Sequence, residues 1–110
     1  MPIPGFEIGT MRAAVNAGSI EWQRHALERM MERRIRRAEV LDVLSAGERI
    51  EDYPGDAPYP SALFLGWAGG RPLHVVVAYS AARETAYIVT AYEPDPIHFE
   101  DDFRTRRTKP

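Results

Sequence analysis

Residues Pro72–Tyr79 read P-L-H-V-V-V-A-Y and residues Thr85–Tyr92 read T-A-Y-I-V-T-A-Y, with only S-A-A-R-E as the turn between them. Both runs are dense in β-branched and aromatic side chains, and so short a connection makes them antiparallel neighbours. Moving toward the N-terminus, the turn A-G-G-R leads back to a third strand, S-A-L-F-L-G-W, over Ser61–Trp67. A proline-rich loop, P-G-D-A-P-Y-P, separates it from a fourth, weakly alternating run over Glu48–Tyr53. The expected sheet is a four-stranded antiparallel meander.

Before Gly47 the apolar period is helical. Thr10–Ala17 reads as a short helix capped by Thr10 and stopped by Gly18. Ser19–Trp22 is expected to be extended. A second helix is predicted from about Gln23 to Arg34, with Ala26, Leu27, Met30 and Met31 as its apolar stripe. Ile35 falls off that stripe, so Arg34-Ile35-Arg36 is expected to break it. A third helix carries Val40, Leu41, Val43 and Leu44 and ends at Gly47. After the last strand, Asp95 and Pro96 have the pattern of a cap and first position of a short helix.

Helices followed by a meander give an α+β fold, two to three N-terminal helices packed on one sheet face. The expected organisation is an N-terminal segment with a short helix over 1–18, one α+β domain over 19–104 and a basic tail over 105–110. A chain of 110 residues, 45% hydrophobic, has room for one core. Cysteine is absent, which excludes disulfides, a thiolate nucleophile and a cysteine-based zinc site. No apolar run approaches the roughly 20 residues of a membrane span, and M-P-I-P-G-F-E-I-G lacks the pattern of a signal peptide. The expected location is the cytoplasm, with no membrane partner.

Net charge is −2, but it is unevenly spread. Between Arg24 and Arg37 basic residues outnumber acidic ones six to two, whereas Ile50–Asp102 holds nine acids against Arg71 and Arg83. The predicted surface is a basic strip on an acidic body. Thirteen of the fourteen basic residues are arginine, which suits bidentate phosphate contacts and equally suits a GC-rich coding bias.

Three constellations bear on chemistry. His25, Arg29 and Arg33 are spaced i, i+4, i+8, so a titratable imidazole lies beside fixed cations on one side of a helix. The competing reading is a solvated face laced by Glu28–Arg24 and Glu32–Arg36 pairs. His74 interrupts an apolar strand; alternation sets it apart from Leu73, Val75, Val77 and Tyr79, and Ile88, Thr90 and Tyr92 are expected to share a face on the neighbouring strand. His74, Thr90 and Tyr92 then meet on one surface, with a hydrogen-bonded structural histidine as the alternative. For a metal, His25, His74 and His98 lack H-x-x-x-H spacing. No phosphate-binding glycine loop, G-x-S-x-G elbow or dinucleotide fingerprint occurs, so neither metal nor cofactor is expected.

The strings H-A-L-E-R-M-x-E-R-x-I, G-E-R-I-E-D-Y-P, R-P-L-H-V-V-V-A and I-V-T-A-Y-E-P-D resemble a bacterial family known only as a domain of unknown function, the forty-two fifty-eight group. The likeness spans about Ile20–Arg104. It carries His25, Arg29, Arg33, His74, Thr90 and Tyr92 in order, and departs where the family usually has glycine and this chain has Arg34. The family is similar in pattern to RelE-, MqsR- and BrnT-type toxins, which implies a RelE/barnase-like fold and metal-independent RNA cleavage by 2′-hydroxyl attack. It also implies a cognate antitoxin as partner. On that hypothesis His25 and His74 serve as base and acid, Arg29 and Arg33 clamp the phosphate, Arg33 and Thr90 bind, and Tyr92 stacks or donates a proton. The alternative is a non-enzymatic protein- or nucleic-acid-binding module using the arginine-rich helix, and enzymatic activity is left open.

Overall fold

A computed structural model describes residues 5–108; the first residues of the expected N-terminal segment and the Lys109–Pro110 end of the basic tail lie outside them. The elements in chain order are α1 (Ile8–Asn16), β1 (Ile20–Trp22), α2 (Arg24–Glu32), α3 (Arg37–Ala46), β2 (Glu48–Tyr53), β3 (Ser61–Ala68), β4 (Arg71–Ser80) and β5 (Thr85–Tyr92). Among the described residues no helix is long and apolar enough to cross a membrane.

The fold is α+β as expected, but the sheet has five strands rather than four and is mixed rather than antiparallel. Its order is β1-β5-β4-β3-β2, with β1 running parallel to β5 through the pairs Ile20–Ala86, Glu21–Tyr87 and Trp22–Ile88. A three-residue strand carries too little alternation to be read as a sheet member. Its partner lies more than sixty residues along the chain, beyond the reach of any turn signal. The other pairings are antiparallel, as the short turns require.

The helix boundaries follow from their ends. α1 begins two residues ahead of Thr10, after Glu7, so Thr10 is inside the helix and not its cap. It stops at Gly18, φ +80°, where Ser19 N–H reaches the Ala14 carbonyl and Gly18 N–H the Val15 carbonyl. α2 ends in the same motif with Arg34 in the glycine position at φ +57°. Ile35 N–H donates to the Met30 carbonyl at 2.8 Å and Arg34 N–H to the Met31 carbonyl at 3.2 Å. Ile35 leaves the helical stripe because it folds back as the buried residue that closes this cap over Met30. At the start of α3, the Glu39 carboxylate accepts from Arg36 N–H at 2.8 Å. The expected helix after Asp95 is a single turn: the Asp95 carboxylate accepts from Ile97 and His98 N–H, and at Phe99 the chain passes into a bridge with Arg106 instead of continuing the helix.

All three helices lie on one sheet face, where Met11, Ala26, Met30, Val40, Val43 and Leu44 meet Phe64, Leu73, Val75, Val77, Ile88 and Ala91. Gly47 and Gly66 permit this close approach. A Cβ on Gly47 would lie 2.3 Å from the Val43 carbonyl oxygen, and one on Gly66 3.0 Å from Val43 itself.

The opposite face is not open. Residues 94–107 fold back as a strap across it, with Phe99 buried and bridged to Arg106. The register also changes there. A bulge in β5 pairs Thr90 with Val76 and Ile88 with Val77, leaving Val89 extra. Thr90 and Tyr92 therefore share the strap-side face while Ile88 turns into the helix-side core, contrary to the common face expected from strict alternation.

Candidate functional site

On α2 a rotation of about 100° per residue puts Ala26 and Met30 toward the sheet and divides the rest into two flanks. One flank carries His25, Arg29 and Arg33; the other carries Leu27 and Met31. His25 and Arg29 are exposed, and Arg29 pairs with Glu32 at 3.1 Å. The expected Glu32–Arg36 pair gives way to this one, because the cap at Arg34 ends the helix before a second i, i+4 pair forms. Arg24 and Glu28 approach to 3.8 Å, at the solvent.

Arg33 is the fixed member of its flank. Its Nη1 donates to the Ala91 carbonyl at 2.9 Å and lies 3.4 Å from the Thr90 hydroxyl. Both acceptors are available because β1 pairs with β5 only as far as Ile88, leaving the end of β5 as a sheet edge. The bulge at Val89 occurs at the same point. The structure brings Arg33 and Thr90 together at this edge.

His74 is elsewhere. It is fully buried on the strap-side face, paired with Tyr92 across β4 and β5. Its Nε2 donates to the Phe103 carbonyl at 2.6 Å, and the Tyr92 hydroxyl lies 3.4 Å from Nδ1. The Phe99 ring packs edge-on at 4.5 Å between centroids and the Tyr92 ring at 5.3 Å. This arrangement suits the neutral imidazole with its hydrogen on Nε2, assigned from the hydrogen-bond network. Burial pushes the His74 pKa below its ordinary value, against the Phe103 hydrogen bond, and burial raises the Tyr92 hydroxyl.

The sheet therefore separates the two histidines. His25 stands on the outer side of the helix layer and His74 beneath the strap on the other face, so they do not flank a common phosphate as base and acid. The expected six-residue site divides: His25, Arg29 and Arg33 stand on the helix side, His74 and Tyr92 lie beneath the strap, and Thr90, on the strap-side face at the β5 edge, is reached by Arg33. Among the described residues no three His, Asp or Glu side chains converge as a metal site.

The neighbours of His74 were not legible in the sequence. Arg106 holds Glu51 with both of its faces, Nε at 2.8 Å from one oxygen and Nη2 at 3.1 Å from the other, while the Tyr53 hydroxyl donates to the same carboxylate. Burial alone would raise the Glu51 pKa, but the Arg106 and Tyr53 hydrogen bonds outweigh it and hold the carboxyl below its usual range. The tyrosine hydroxyl moves up in turn, through burial first and then the adjacent carboxylate. A bulge at Ile50 sets Glu51 opposite Leu63 and hence on the strap-side face. A second unforeseen network joins Arg71 to Glu39 at 3.1 Å, Glu93 at 3.0 Å and the Arg34 carbonyl at 2.6 Å.

The family model described as Domain of unknown function (DUF4258) matches residues 22–93. The match takes in α2 through β5, both histidines and the whole arginine flank. The strap lies beyond it. No curated protein and no solved structure matches the chain.

Proposed function

The chain belongs to this domain-of-unknown-function family, and since that membership assigns no chemistry, we propose from the site that the protein binds RNA along the His25–Arg29–Arg33 flank of α2. One observation carries the reading: Arg33 is held by Ala91 and Thr90 through Nη1 alone, while its Nε and Nη2 have no hydrogen-bond partner among the described residues. An arginine positioned in advance loses little entropy when it grips a phosphate. The test is single-stranded RNA binding as a function of salt. Replacing Arg29 or Arg33 with glutamine should weaken binding and lower the salt slope by about 0.7 per phosphate contact removed. Binding that ignores both substitutions would overturn the reading.

Metal-independent cleavage, with a toxin–antitoxin role and a cognate antitoxin, is the second reading. Its support is the exposure of His25 on the flank that bears both arginines. The imidazole would take the 2′-hydroxyl proton, the 2′-oxygen would form a bond to phosphorus, and the bond to the 5′-oxygen would break, with water supplying that oxygen's proton. Arg29 and Arg33 would neutralise the phosphorane. His74 has no direct part, being enclosed by Phe99, Phe103 and Tyr92. Cleavage lost in His25→Gln with RNA binding retained would support this route; equal cleavage by wild type and His25→Gln would exclude it.

A further inference from the structure

The second flank of α2 carries a different feature. A groove of about 610 Å³ runs between α2 and the start of α3, its floor made by Leu27, Met30, Met31 and Ile35. Its rim holds Arg34, Arg36 and Arg37. The one carboxylate lining it, Glu39, is already engaged by Arg71 and by the Arg36 N–H. A neighbouring cavity of about 730 Å³ shares Leu27 and Met31 and reaches Trp22 and Arg24. Met31, in the last turn of α2, stands where the two meet and is 81% exposed, unusual for a large apolar side chain.

An apolar floor with a cationic rim specifies its occupant. A phosphate backbone would leave Leu27 and Met31 uncovered, and the Trp22 ring, the one aromatic platform here, already has Arg37 lying over it at 5.3 Å. Amphipathic helices lay apolar side chains at i, i+4 and i+7 into grooves of this kind, and carboxylates on their flanks would meet Arg34, Arg36 and Arg37. Arg34 adds to the argument. Its backbone sits at φ +57°, where glycine would be unstrained, and among the described residues its guanidinium has no partner.

We infer that the groove between α2 and α3 docks an acidic amphipathic helix of a partner protein, anchored on Leu27 and Met31 and oriented by Arg34, Arg36 and Arg37. The groove itself has none of His25, Arg29 and Arg33 in its lining, while the adjoining cavity borders His25 and Arg29, so the variants that test it are chosen within the groove.

The test uses the full chain and a synthetic helical peptide with leucines at i, i+4 and i+7 and glutamates on both sides, followed by fluorescence anisotropy. The acidic peptide should bind saturably, and a version with lysine for every glutamate should bind at least about tenfold more weakly. Met31→Gln should weaken the acidic peptide by about tenfold, whereas Arg83→Gln in the exposed turn after β4 should leave it unchanged. Arg34→Gly should also weaken the peptide while raising the melting temperature, so a folding defect is not the cause. No saturable binding, equal binding of both peptides, or binding indifferent to Met31→Gln would each overturn the proposal. So would tighter binding of single-stranded RNA or anionic lipid vesicles that is lost in Met31→Gln, because the groove would then serve a different class of ligand.

Discussion

Arg71 Nη2 lies 2.6 Å from the carbonyl oxygen of Arg34, so the first residue of β4 fastens the left-handed turn that ends α2. The same guanidinium reaches Glu39 near the start of α3 and Glu93 just beyond β5. It thereby holds the α2–α3 corner, and with it the Arg33 flank and the apolar groove, against the sheet.

Because the turn is held from outside, Arg34 pays a backbone strain that its neighbours impose. Arg34→Gly should stabilise the protein by about 1 kcal/mol, since the glycine relieves the left-handed penalty and keeps the carbonyl that Arg71 uses. Chemical denaturation of the two proteins checks this. A loss of stability would show that the long side chain contributes more by packing than its backbone costs.

His74 makes stability depend on pH. Its folded pKa is lowered by burial, so below the ordinary histidine value of about 6.5 the unfolded chain binds a proton that the folded chain refuses. The His74 contribution is therefore complete above that pH and is lost as pH falls toward the lower folded value. In denaturant titrations at a series of pH values, His74→Gln should show a shallower fall than wild type in the window just below about 6.5. Identical slopes would mean that His74 does not titrate differently in the two states. At neutral pH, His74→Ala should cost about 2–4 kcal/mol through the cavity and the orphaned Phe103 carbonyl, whereas His25→Ala should change stability by less than about 0.5 kcal/mol.

Gly47→Ala should destabilise by about 2 kcal/mol or more, because the added methyl meets the carbonyl oxygens of Val43 at 2.3 Å and Leu65 at 2.6 Å, both backbone atoms of packed elements. Gly9→Ala makes the contrast. Its Cβ would meet nothing within 4 Å inside α1, and the better helix propensity should stabilise by about 0.5–1 kcal/mol. Melting temperatures that move the same way in both variants would contradict the packing argument.

The strap should be held mainly by its aromatic side chains and only weakly by charge. Arg106 is half exposed, so removing its pair with Glu51 by Arg106→Gln should cost no more than about 1 kcal/mol. Phe99→Ala removes a buried ring from His74 and should cost about 3 kcal/mol. Amide hydrogen exchange across 94–107 would separate the two effects: faster exchange in Phe99→Ala than in Arg106→Gln is expected, and the reverse order would assign the strap to its ion pair.

Local rules made much of the fold readable. Glycine at 18 and 47 and the apolar stripe through Ala26 and Met30 placed the helices, the β-branched and aromatic runs placed β4 and β5, and an apolar run between turn signals placed β3, each within a residue or two. These signals depend on a residue and its near neighbours. The two bulges, the parallel β1, the strap and the separation of His25 from His74 were not legible, because each is decided by a partner far along the chain. Alternation located His74 on the right sheet face, yet only the strap's Phe99 and Phe103 bury it, and nothing in their own segment advertises that role. The i, i+4, i+8 spacing put His25, Arg29 and Arg33 on one flank of a helix. That Arg33 is fixed while Arg29 is solvated came from a sheet edge left free where β1 ends, a property of strand length in three dimensions.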